Sequence, residues 1–71
     1  MREPDWQRFT LYGRALYVLQ EEDCWRLRLE EREAAAQHLD RAVAELLNVP
    51  SHMALRLALS ILNADPGAEI A

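Results

Sequence analysis

The segment from Met53 to Leu62 reads Met-Ala-Leu-Arg-Leu-Ala-Leu-Ser-Ile-Leu, with Arg56 its only charge. A helix that is apolar nearly all round has to be covered nearly all round. The chain has only 71 residues, and a domain of that size buries about 60% of the surface its unfolded chain exposes. Part of this helix is therefore expected to face another chain, through Met53, Leu55, Leu57, Leu59, Ile61 and Leu62. The competing arrangement is a central core helix wrapped by the rest of the domain.

Small domains usually gain stability from disulfides, a metal or self-association. Cys24 is the only cysteine and His38 and His52 the only histidines. That rules out an intrachain disulfide and gives no zinc-ligand spacing. Self-association, most simply a homodimer, is the option left. The lone cysteine fits a reducing compartment. The start Met1-Arg2-Glu3-Pro4-Asp5-Trp6 has no apolar stretch of the signal-peptide kind, and the apolar run at 53–62 is about half the ~20 residues that span a bilayer. A soluble cytoplasmic protein is expected, as one domain over 1–71 with 1–7 and 65–71 as loose ends.

Twelve acidic residues face eight arginines, for a net charge of −4. An acidic chain lacks the footprint of a phosphate-backbone binder. Arg26 and Arg28 are locally basic, but Glu21, Glu22, Asp23, Glu30, Glu31 and Glu33 surround them. Nucleic-acid binding is disfavoured.

From Phe9 to Leu29 the hydrophobic period is mostly two. Phe9 and Leu11 alternate with Arg8 and Thr10. Tyr12-Gly13-Arg14 reads as a turn, because glycine accepts positive φ without steric cost. Ala15 to Leu19 suits a pleated surface, Glu21-Glu22-Asp23 is a polar break, and Trp25, Leu27 and Leu29 alternate with Arg26 and Arg28. Pairing about the acidic turn would set Leu19 near Trp25, Tyr17 near Leu27 and Ala15 near Leu29. The rival is one long helix from Asp23 to Asn48, its seam formed by Trp25, Leu29, Ala36, Leu39, Val43 and Leu46.

From Glu30 to Asn48 the spacing predicts a helix with Ala35, Ala36, Leu39, Val43, Leu46 and Leu47 inward. Glu30, Glu31 and Glu33 would sit at its start, where the macrodipole favours negative charge, and Asn48 and Pro50 would end it. Ser51 is a suitable N-cap for the last helix. His52, Arg56, Ser60 and Asn63 form its polar stripe, and Asp65-Pro66-Gly67 stops it. The fold class is α+β: an N-terminal antiparallel hairpin or three-stranded meander followed by two helices.

No catalytic residue is indicated. Cys24 follows three acidic residues, a setting that does not favour a reactive thiolate, and no pair of residues has a nucleophile–base arrangement. The acidic turn lacks the glycine and spacing of a calcium loop. No cofactor and no metal is expected. Trp6 and Trp25 are candidate interface anchors, since tryptophan is enriched at hot spots, although Trp25 also suits the core side of a sheet.

Phe9-Thr10-Leu11-Tyr12-Gly13-Arg14-Ala15-Leu16-Tyr17-Val18 resembles the opening of ZapA-type cell-division proteins, an apolar strand followed by Gly-Arg and a second strand. Ala35-Ala36-Gln37-His38-Leu39-Asp40 is similar to their first-helix pattern, and Leu59-Ser60-Ile61-Leu62-Asn63-Ala64 to a segment of their second helix. The order agrees over residues 8–64. In that family the second helix runs on into a long coiled coil; here Pro66 interrupts it. The resemblance implies a cytoplasmic homodimer that binds the tubulin-like division protein FtsZ and modulates its filaments. Gly13 as the hairpin turn and Asn63 as the helix-end asparagine are the positions it carries over.

Two other classes compete. A small acidic, lysine-free protein can serve as an inhibitor or adaptor of phage or mobile-element type, docking on a basic surface by charge complementarity. A nucleic-acid regulator would insert the strand at 25–29 into a groove through Arg26 and Arg28, against the net acidity.

Overall fold

The computed structural model describes residues 5–70. Four strands run as an antiparallel meander: β1 (Gln7–Leu11), β2 (Arg14–Gln20), β3 (Trp25–Leu29) and β4 (Arg32–Ala36). Helices α1 (Leu39–Leu47) and α2 (Ser51–Asn63) follow, and β5 (Glu69–Ile70) returns to pair parallel with β1. The sheet order is β4-β3-β2-β1-β5. The α+β class and the strand-then-helix order match the reading of the sequence.

Both helices cover one face of the sheet. Phe9, Leu11, Leu16, Val18, Leu27 and Leu29 point into the layer between, where they meet Leu39, Ala42, Val43 and Leu46 of α1 and Ala54, Ala58 and Ile61 of α2. No charged or polar residue is buried among the described residues. The core is held by apolar burial alone.

The first hairpin is as expected. Tyr12 (φ 51) and Gly13 (φ 76) both take positive φ, the pattern of a two-residue type I′ turn whose twist matches the strands. The second hairpin is shifted by one residue from the expectation. Its turn is Glu22–Asp23, closed by the Glu21 amide donating to the Cys24 carbonyl over 2.8 Å. Leu19 therefore lies across from Arg26, Val18 from Leu27, Tyr17 from Arg28 and Leu16 from Leu29. A one-residue slip moves every side chain to the other face. The inward residues of β2 are Leu16 and Val18, not Ala15, Tyr17 and Leu19.

The helix expected from Glu30 begins only at Leu39. Glu30 takes φ 56 in the turn to β4, and Ala34, Ala35 and Ala36 pair with Leu27, Arg26 and Trp25. Alanine is the strongest helix former, but pairing with β3 overrides that local preference. Glu30, Glu31 and Glu33 are thus hairpin and strand residues, and the long-helix rival over 23–48 does not form. Asn48 ends α1 as expected, in the left-handed region at φ 55, its amide bonded to the Ala44 carbonyl.

Ser51 is the first residue of α2 rather than its cap. Pro50 occupies the cap position, and its carbonyl accepts from the amides of Met53 and Ala54 at 3.1 and 3.0 Å. The expected loose ends are also corrected where they are described. Gln7 belongs to β1. At the other end Gly67 donates to the Arg8 carbonyl, Thr10 donates to the Ala68 carbonyl, and Ile70 is 1% exposed. Residues 1–4 and 71 lie outside the described residues.

Candidate interaction surfaces

The inward face of α2 is made of small residues. Ala54 and Ala58, one helical turn apart, are buried, with Ile61 below them and Leu57 half-buried beside the core. Small side chains let two helices approach closely, and α2 packs along α1 through this face. Four of the large side chains are left outside. Met53 is 41% exposed, Leu55 49%, Leu59 50% and Leu62 57%.

The six residues expected at an interface therefore divide. Ile61 is 5% exposed, so the chain covers it itself, and Leu57 packs partly against the same core. Leu55, Leu59 and Leu62 follow the i, i+4, i+7 spacing of a single helix face. Met53 lies on the other flank, beside a depression it lines with Tyr12, Leu57 and Ser60. Between the flanks run His52, Arg56, Ser60 and Asn63, all exposed. The polar stripe is where the sequence puts it, but it separates two apolar margins.

Trp25 and Trp6 are not brought together. Trp25 is half-buried against the core. It lines a groove of about 390 Å³ with Val18, Gln20, Leu62 and Pro66, so the leucine row of α2 ends at this ring. Trp6 lines an open depression of about 670 Å³ with Ala15, Tyr17 and Arg28. Tyr17 and Arg28 are a cross-strand pair on the sheet face turned away from the helices. Period-two parity in β2 marks that second face once the two-residue turn at Glu22–Asp23 sets the register.

Electrostatics do little to organise either surface. Arg26 Nε lies 2.7 Å from Glu21 Oε1, Arg28 Nε 3.4 Å from Glu33 Oε1, and Arg14 Nη1 3.3 Å from Glu30 Oε1. All six side chains are largely exposed, and such pairs contribute about 0–1 kcal/mol each. Both arginines of the groove-reading alternative are thus matched by carboxylates. Their strand lies inside the sheet between β2 and β4, with no free edge to enter a groove. The Cys24 thiol donates to Glu21 Oε1 at 3.5 Å, and both belong to the β2–β3 connection.

Among the described residues no group of three or more His, Cys, Asp or Glu is placed to hold a metal ion, and no helix is long and apolar enough to cross a membrane. Compared with known proteins, the chain matches no family model, no curated protein and no solved structure.

Proposed function

We propose that this chain is a small cytoplasmic interaction module that self-associates through the outer face of α2. One observation carries the reading. A 13-residue helix turns its alanines inward and leaves Leu55, Leu59 and Leu62, which share one flank, each about half exposed. Large apolar side chains aligned along one helix mark contact surfaces more often than scattered ones do. A second copy suits this face, because α2 carries no acidic residue and only Arg56 as a full charge. Two copies can meet across a two-fold axis with the leucine rows in register and each Arg56 turned toward solvent.

The energetics point to a reversible contact. Completing the burial of the three half-exposed leucines on each of two copies gains on the order of 6 kcal/mol, against an association cost of about 4–15 kcal/mol. Light scattering over a dilution series tests this. The expected result is a mass above that of one chain at high concentration, falling on dilution and lowered throughout by Leu59→Asp. A single-chain mass for the wild type at every concentration overturns the reading.

FtsZ as the further partner rests on the resemblance alone. The Gly13 hairpin and the Leu59–Asn63 helix support it. Ala35 and Ala36, which the resemblance places in a helix, form a strand. Cosedimentation with FtsZ polymers tests it: protein left in the supernatant, with unchanged polymer turnover, removes FtsZ and leaves self-association standing.

A further inference from the structure

The strand β4 lies at one edge of the sheet, with β3 on one side and no strand on the other. Exposed edges invite pairing, and proteins commonly protect them with lysine, proline, a bulge or a covering element. In β4, Arg-Glu-Ala-Ala-Ala, the charges are confined to the first two residues, Ala34 to Ala36 carry none, there is no proline, and the register with β3 runs unbroken from Arg32 to Ala36.

The register tells which backbone groups are free. Leu29 and Arg32 flank a two-residue turn, which makes them a hydrogen-bonded pair. Pairs alternate along an antiparallel ladder. Arg32, Ala34 and Ala36 therefore direct their amides and carbonyls to β3, while Glu33 and Ala35 direct theirs to the open side.

We infer that β4 pairs antiparallel with β4 of a second copy, centred on Ala34, so that two sheets join into one. In that register Glu33 of each copy exchanges both hydrogen bonds with Ala35 of the other. Ala34 faces its own symmetry mate at the close, non-hydrogen-bonded position, where Cα atoms approach to about 4.5 Å and a small side chain fits. Arg32 faces Ala36 and Glu33 faces Ala35, so no like charges oppose. Centring on Glu33 instead would set two carboxylates face to face, a destabilising pair.

The charges on the outer sheet face also complement one another. Within one chain Glu33 pairs across the ladder with Arg28, and Ala35 with Arg26. Across the two-fold the row becomes Arg28, Glu33, Ala35, Arg26, the last two from the second copy. Strands two apart are separated by about 10 Å, and an arginine can lean over the small Ala35 toward Glu33. Each Glu33 gains a second cation where the Arg26 guanidinium of the other copy, its Nε held by its own Glu21 at 2.7 Å, bridges to it through the remaining N–H groups. This contact is isologous and separate from the one proposed for α2.

Ala35→Pro tests the pairing. It removes the amide that faces the open edge and leaves the β3 ladder intact, the placement in which a strand tolerates proline. In a Leu59→Asp background, which removes the α2 contact, a dimer is expected at high concentration, and Ala35→Pro should weaken it at least tenfold. Amide exchange in the wild type gives a readout free of any folding defect. The Glu33 and Ala35 amides should exchange slowly in concentrated solution and faster on dilution. Equal masses with and without Ala35→Pro, or exchange at those amides independent of concentration, overturn the pairing. If Leu59→Asp leaves the wild-type mass unchanged and Ala35→Pro alone gives single chains, the α2 contact fails and the edge pairing stands.

Discussion

Val18 and Leu27 sit directly across from each other on β2 and β3, exposed only 2% and 1%. Their contact lies beneath the two helices, and the neighbouring pair Tyr17 and Arg28 lies on the opposite sheet face. The Glu21–Cys24 bond that closes a two-residue turn is what places them so.

Single charges on β2 should separate the two faces. Val18→Asp places a carboxylate among apolar side chains with no partner, a cost of several kcal/mol, and the folded state should be lost. Tyr17→Asp, on the open face, should cost about 1 kcal/mol. Urea unfolding followed by circular dichroism checks both, and the opposite order would mean that the register is wrong.

The helix α2 offers a matched pair of positions. Ala58→Leu inserts bulk where the chain allows 3% exposure, and overpacking there should cost about 1–3 kcal/mol. Leu59→Asp, one residue on, should leave the urea midpoint within about 0.5 kcal/mol of the wild type under conditions where both are single chains.

Ile70 anchors the last strand. Ile70→Ala should cost about 2–5 kcal/mol, a large part of the stability of a small domain. An unchanged urea midpoint would show instead that residues 69–70 hang free.

Tyr12 occupies the left-handed region at φ 51, beside Gly13, a position where asparagine is favoured and bulky residues are not. Tyr12→Asn should stabilise the hairpin by about 0.5–1 kcal/mol, read as a rise in the thermal midpoint. Tyr12 is 69% exposed, so packing contributes little to offset the gain.

Much of this architecture is readable in the sequence, and the errors have identifiable causes. Alternation in Phe9–Leu11 and Trp25–Leu29 marks two strands. Gly13 and Asn48 mark a turn and a helix end, and the period of His52, Arg56, Ser60 and Asn63 marks the exposed side of α2. The register of β2 was ambiguous because Ala15 to Leu19 is apolar at both parities, so only the turn length could decide the face. The strand β4 was hidden because alanine and glutamate favour helix locally, while its ladder partner lies in another segment. For the candidate surface, apolarity identified α2, but it could not say that alanines would turn inward and leucines outward. That division depends on how closely α2 approaches α1.

The parallel pairing of β5 with β1 fixes the order in which the sheet can be completed. On a ribosome β1 emerges first and can close its hairpin with β2 almost at once, yet its other flank stays open until Glu69 and Ile70 have left the exit tunnel. Until then Phe9 and Leu11 belong to an unfinished edge, and the nascent chain carries an exposed apolar strand of the kind that chaperones hold. The residues of β5, made after the four meander strands and both helices, are therefore the ones that release it from that risk.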